Sequence, residues 1–540
     1  MSKFNSERIP VQSLEHLIKD LDFAFQTHDE KLLPFIGKMP TLSNFQTQIN
    51  TKSFTSENRI KLNKIITQQY KNCGIDTLEQ PNLEKILELN TFFVTTAHQP
   101  NLMTGPSYFF YKIISTIKLA QLIKNENQKS YIIPCYVIGS EDHDFEELGH
   151  FYLLGHRIEL TQNRGIAFAK YPIEDLIPVV EQIKNILPPS TNTSKLLTLL
   201  EKCIRQTKTI GEFTMLFIHE IFGKYGLVII DMAGREAKQS FTPIMREELT
   251  KSSSYPLVQN TILKKQSQNL GTQALPREIN LFYHGKNGRT RIEKVSDGWQ
   301  TIDKIYQWNA SQLEDELAKT PENFSLNVIL RPLIQELILP NIAYVGGPGE
   351  MAYWMERMDQ FNHYQIEFPI LVRRDSFFIL SEKLFKKWQK LGLPLRELFK
   401  SKEDLIKKIN EENSDQTIMV DFRSEIINAL DQLVQKSQAI DDPLRQSMEA
   451  EKARWIKNID QVESKISKAM KIKNDAFIQS GLQVQGTLFP NGNWQERTES
   501  FLGFIAQCGF ELIDYLIQEA NPLQSEIKLI LTKDVANDYL

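Results

Sequence analysis

The sequence predicts an α/β protein: an open parallel sheet with helical insertions, followed by a long, charged helical arm. Three observations carry that expectation. FFVTTAHQ (92–99) and YIIPCYVIG (131–139) are apolar runs of strand composition that break abruptly into polar residues. NIAYV (341–345) runs into Gly346-Gly347-Pro348-Gly349 and then a helical pattern. From about Ser381 the composition turns charged, with apolar residues at helical spacing. Adjacent buried strands that spill polar groups at their C-terminal ends describe the ligand edge of an open α/β sheet.

In chain order, the first ninety or so residues read as helical and polar, with SLEHLIKDL and NFQTQINTKSFTSENRIKLNKIITQQYKN as amphipathic stretches. Strands and helices alternate from Phe92 to about Leu160. Residues from about Pro172 to Tyr225 read as helices inserted on the sheet, and GLVIID, ending in Asp231, as another strand. LFYHGKNGRTRIEKV has β-composition on both sides of Asn287-Gly288, a hairpin signal. PILVRRDSFFIL reads as the last strand. The expected domains are a core over 1–380, with inserted segments near 161–225 and 235–325, an arm over 381–485, and C-terminal helices over 486–540 packing back on the core. In the arm, Met448, Trp455, Val462 and Ala469 recur every seven residues, with Ile459 and Ile466 between them. That stripe predicts an antiparallel coiled coil and a homodimer contact.

Length alone suggests roughly three or four domain-sized units. Hydrophobic content of 41% and charged content of 24% fit a soluble globular chain. The net charge of −4 supplies no whole-protein basic field, so nucleic acid is not an expected partner. No signal peptide and no membrane-length apolar run is visible, so no membrane partner is expected. Cys73, Cys135, Cys203 and Cys508 form no CxxC pair, which points to a reducing, cytoplasmic location.

The candidate site residues follow from strand ends and helix starts. His98, Gln99, Pro100 and Asn101 end the first strand, and Thr104, Gly105, Pro106 and Ser107 open a helix whose free N–H groups suit an anion. Lys112 lies two turns further on and can reach back; His98 can donate to a phosphate or shuttle a proton. Glu141, Asp142, His143 and Asp144 begin at a buried strand end, where carboxylates need a compensating cation, such as a substrate ammonium. Asp142 and His143 are the preferred pair, with Glu141 and Asp144 left open. A metal is the runner-up, but His143, His150 and His156 match no ligand spacing, so no metal site is assigned. Gly346, Gly347 and Gly349 allow close backbone approach, and Glu350, Tyr353 and Trp354 occupy the first turns of the next helix. Arg331, with Arg289 and Arg291 of the hairpin, are candidate carboxylate clamps.

Together, HQPNLMTGPSYFFYK, IGSEDHDFEEL, PREINLFY, NVILRPLIQELILPNIAYVGGPGEMAYW and FPNGNWQER resemble the cysteine-adding ligase family of bacillithiol synthesis, over nearly the whole chain. The resemblance implies a Rossmann-like parallel sheet core similar to class I aminoacyl-tRNA synthetases, and a coiled coil that pairs subunits. It implies a ligase forming an amide between cysteine, or an activated cysteine, and the amine of glucosaminyl malate. On that reading His98, Asp142 and His143 are assigned catalytic roles, and Gln99, Asn101, Thr104, Gly105, Ser107, Lys112, Glu141, Asp144, Arg331, Gly346, Gly347, Gly349, Glu350, Tyr353 and Trp354 are assigned to substrate binding. The synthetase HxGH signature reads His98-Gln99-Pro100-Asn101 here, and no KMSKS-like segment is present. ATP or another nucleotide is the cofactor candidate, none being fixed by the residues. Competing readings are a non-catalytic nucleotide-binding scaffold with a coiled-coil partner arm, and a nucleotidyltransferase acting on another acid.

Overall fold

Five apolar segments build the central sheet: Thr91–His98, Tyr131–Ile138, Val228–Asp231, Asn341–Gly346 and Ile370–Arg373, all paired in parallel. Ile370–Arg373 lies outermost, then Asn341–Gly346, Thr91–His98, Tyr131–Ile138 and Val228–Asp231. Numbered along the chain this order is 5-4-1-2-3, the doubly wound Rossmann-like arrangement. Thr91–His98 is buried at every position because both faces are covered. Phe93 and Ala97 enter one hydrophobic cluster, and Phe92 and Val94 the other, as alternation along a strand requires. The chain reverses its direction of winding between Thr91–His98 and Asn341–Gly346. A crevice opens there at the strands' C-terminal ends.

This computed structural model describes residues 3–78, 80–412 and 417–533; residues 413–416 of the expected arm and 534–540 of the expected C-terminal region lie outside the described residues. One unit comprises Met1–Ile379 with Gly492–Leu540, the other Leu380–Asn491. In the first, helices Ile177–Ile186, Thr191–Gln206 and Ile210–Phe222 follow the hairpin His150–Leu153/His156–Glu159. Ser190 and Thr209 cap two of them by accepting the N–H groups of Thr193 and Glu212. A five-stranded antiparallel sheet contains the expected hairpin, Leu281–Gly285 with Gly288–Val295. Its turn is Lys286-Asn287, one residue earlier than the Asn-Gly signal implied, and Gly288 closes the ladder opposite Gly285. Gly288 has φ +99°, and a Cβ there would lie 1.9 Å from the Gly165 carbonyl oxygen.

The polar N-terminal reading missed a strand, Phe4–Pro10, and the C-terminal reading missed another, Glu526–Thr532; these two pair antiparallel. PILVRRDSFFIL divides into Ile370–Arg373 and Ser376–Ser381, the latter joining that second sheet. The break is held by Asp375, whose buried carboxylate meets Lys528 Nζ at 2.5 Å and accepts from Ser115 Oγ at 2.9 Å.

In the second unit, Thr417–Gln438 and Asp442–Leu488 pair antiparallel: Arg423 meets Asp460 and Glu463, and Lys452 meets Asp431. Asp441 caps the second of these helices through the Leu444 N–H. Ile459 and Ile466 are half-buried, whereas Trp455 and Val462 remain 54% and 52% exposed. No helix among the described residues is long and apolar enough to cross a membrane.

Candidate active site

A cavity of about 490 Å³ occupies the crevice at the winding reversal. His98, Gln99, Lys112, Glu141, Asp142, Arg331, Gly347, Gly349, Glu350 and Tyr353 line it. Glu141, Asp142, Glu147 and Asp231 line its acidic side, where the Arg289 guanidinium also stands beside His143; Arg331, Arg374 and Arg497 line its basic side together with Glu350 of the glycine-rich turn.

On the acidic side, Glu141 is committed to an ion pair. Lys238 Nζ, fully buried, lies 2.7 Å from its carboxylate, and His284 Nε2 lies 3.7 Å away. Burial pushes the Glu141 carboxyl up, but Lys238 and His284 outweigh it and hold it at about 2. Asp142 faces the cavity: its Oδ2 accepts from Gln99 Nε2 at 3.2 Å, and its Oδ1 from the His143 and Asp144 N–H groups at 2.8 and 3.3 Å. His143 is half-buried with Nδ1 3.5 Å from Arg289 Nη1; burial, then that guanidinium, lowers its pKa. Asp144 is exposed and caps the helix Phe145–Leu148. Asp231 accepts from Ser140 Oγ at 2.6 Å and from the Ala233 N–H at 2.9 Å, and burial, with Glu141 nearby, raises its carboxyl. His150 and His156 belong to the small hairpin. Among the described residues no three His, Cys, Asp or Glu side chains are grouped as a metal would require.

On the basic side, Lys112 does reach back, but to protein groups. Its ammonium donates to the Ala97 carbonyl and lies 2.7 Å from Glu350 Oε2. Glu350 also accepts from Tyr344 OH at 2.6 Å and the Gly347 N–H at 3.0 Å. Burial works against the Glu350 carboxylate, yet Lys112 and these donors hold its pKa at about 2. Lys112 is therefore neutralised rather than free for an anion. Arg331 is different. It donates to Gln335 at 3.0 Å and Tyr353 OH at 3.1 Å, and no carboxylate pairs with it among the described residues. Arg374 makes a bidentate pair with Glu496 at 2.8 and 2.6 Å, while its buried Nε keeps no partner in the protein. A Cβ built on Gly347 would touch that Nε at 3.7 Å, so the glycine leaves the approach to the guanidinium open. Gly346 ends its strand and accepts from the Arg374 N–H at 3.0 Å. Trp354 turns into the core, its ring 4.5 Å from Tyr344.

The 98–107 segment departs most from its expected role. His98 sits between the rings of Tyr108 and Phe109, and its Nε2 is buried without a protein partner. Burial, then the positive charges of Lys112 and Arg374, lowers its pKa to about 3, so the imidazole is neutral at physiological pH and brings no charge to a phosphate. Asn101 and Thr104 are buried off the cavity wall, each with an unpartnered side-chain oxygen. Met103, Thr104 and Gly105 all have positive φ (46°, 71° and 64°). The regular helix begins only at Tyr108 and has no side-chain cap. The Ser107 N–H donates to the Glu499 carbonyl at 2.8 Å, and Pro106 bridges Ser500. The C-terminal segment thus takes up a donor expected for an anion, and this helix start forms no phosphate cradle.

Sequence reasoning missed Glu147, Arg374 and Arg497 as cavity residues and left Asp231 and Arg289 outside the chosen set. Glu147 was legible, since it lies in IGSEDHDFEEL. Arg374 and Arg497 carry no local signal; only the tertiary return of residues 495–500 places them.

A family model described as the N-terminal Rossmann-like domain of bacillithiol biosynthesis BshC matches residues 5–375, and one described as its C-terminal coiled-coil domain matches 377–532. The chain is 35% identical over 512 residues to a Flavobacterium johnsoniae protein named "Putative cysteine ligase BshC", covering 94% of this chain and 96% of that one. Proteins of the same printed name from Christiangramia forsetii and Cytophaga hutchinsonii are 32% and 31% identical, over 94% and 98% of this chain and 95% and 99% of theirs. Matched across both domain models and along nearly its whole length, the chain belongs to the BshC family of bacillithiol biosynthesis.

Proposed function

We propose that this chain ligates cysteine to the amine of glucosaminyl malate, forming the amide in the last step of bacillithiol biosynthesis. The observation that supports it most is that one cavity is lined both by the carboxylates of Asp142 and Glu147 and by the guanidinium groups of Arg331, Arg374 and Arg497. A substrate that carries both an ammonium and carboxylates matches those two sets of groups by charge. Asp142, with His143 beside it, receives the amine. Arg331, the free Nε–H of Arg374, Arg497 and the open backbone at Gly347 receive the malate carboxylates. The acyl carbon of cysteine lies between them, near His98, whose neutral ring can exchange a hydrogen bond without adding charge. The relatives' shared name supplies the identity of the acyl partner. Carboxylate is a poor electrophile, so the cysteine enters in activated form.

The test is the thiol pool of a strain from which this gene is deleted. Bacillithiol should disappear and glucosaminyl malate accumulate, with both reversed when the gene is restored. A deletion strain that keeps its bacillithiol refutes the assignment.

A further inference from the structure

The amine end of the cavity holds several groups able to take a proton, and their partners separate them. Glu141 is neutralised by Lys238. Asp142 accepts three hydrogen bonds, from Gln99 and from the His143 and Asp144 N–H groups, which fix its carboxylate in position to hold an ammonium. The His143 ring lies 3.5 Å from Arg289, whose charge opposes a second positive charge on the imidazole. Asp231 accepts from Ser140 and Ala233. Glu147 has none of these commitments. It follows Asp142 in the helix Phe145–Leu148, lines the same cavity, and its carboxylate has no ion pair or hydrogen bond among the described residues.

We propose that Glu147 is the catalytic proton acceptor for the substrate ammonium, while Asp142 holds that ammonium in place. The assignment rests on the amide-forming reading above. The charged and titratable groups facing Glu147 are Asp142 and Asp144 from its own loop and Tyr108 from the helix Tyr108–Glu126. The Glu147 side chain is exposed, and partial loss of water, then the charges of Asp142 and Asp144, raise its carboxyl from the ordinary value. With the cysteine activated as a mixed anhydride with phosphate, the step balances. The ammonium gives one proton to Glu147, and the freed amine nitrogen bonds to the acyl carbon. The acyl–oxygen bond breaks with its electron pair going to phosphate, which takes the second nitrogen proton as it leaves.

Two measurements on full-length protein test this. Calorimetry reads glucosaminyl malate binding to purified variants of matched melting temperature. The deletion strain, carrying each variant under an inducible promoter, reports how fast accumulated glucosaminyl malate becomes bacillithiol. Glu147→Gln should bind like wild type yet form product about 10²-fold or more slowly, the usual cost of losing a proton acceptor. Glu147→Asp should recover part of the rate, and Asp142→Asn should weaken binding instead. Product formation by Glu147→Gln at the wild-type rate overturns the proposal and leaves the amide-forming reading standing. Loss of binding in Glu147→Gln also overturns it, because the residue would then hold substrate rather than take its proton. Failure of the wild-type gene to restore bacillithiol brings down both.

Discussion

Lys112 and Glu350 form the floor of the cavity's basic side, and their charges depend on each other. Glu350 has a folded-state pKa of about 2 against an ordinary 4.5. A carboxyl whose pKa is depressed on folding contributes stability that is complete above about 4.5 and lost as pH falls toward 2, because the unfolded chain takes up its proton first. The melting temperature should therefore drop between pH 4.5 and 2. Glu141, also held at about 2, contributes in the same window. The double variant Lys112→Met/Glu350→Gln should flatten only part of that drop. An unchanged profile in thermal melts at stepped pH would show that the pair carries no pH-linked stability. Glu350→Gln alone should be the most damaging version. It leaves the buried Lys112 ammonium unpaired, which typically costs about 3–5 kcal/mol.

The connection from Thr91–His98 to Tyr108–Glu126 shows what can and cannot be read from local pattern. Its polar residues and Gly105-Pro106 marked it as a turn at a strand end, and that is its structure. The three consecutive positive φ angles and the return of residues 499–500 onto the helix start are tertiary facts with no local signature. At Gly105, φ is 64° and ψ is −147°, a region essentially closed to other residues, and an added Cβ would lie 3.0 Å from that of Asn101. Gly105→Ala should cost about 1–3 kcal/mol, read as a lower melting temperature. A variant that melts with wild type would mean the turn is not under this constraint. The same logic explains the missed edges. FNSERIP buries only Phe4 and Ile9, too few apolar positions to announce a strand, whereas the central strands announce themselves because they are covered on both faces.

At the scale of the whole molecule, the charged C-terminal helices were legible as an arm because their composition differs from the core's. The apolar stripe was read as one seam. Instead it divides between side chains that meet the antiparallel helix and side chains that stand in water. Phe422, Leu433, Trp455 and Val462 are each more than half exposed; we propose that a second copy of the chain buries apolar side chains of this kind. Light scattering of the full chain should give a dimer, and Trp455→Glu with Val462→Glu should shift it to monomer. A mass unchanged by that double substitution would place the contact elsewhere. The Arg374–Glu496 pair has a consequence of another kind, in the order of synthesis. A ribosome makes Arg374 and then must finish the entire arm before Glu496 emerges. Until then the guanidinium that borders the cavity has no counter-charge, and the nascent sheet cannot close over it without leaving a buried charge unpaired. The cavity wall is therefore completed only by chain made after the arm. A gene cut after the Rossmann-like segment would encode every strand of the parallel sheet and still not encode a finished site.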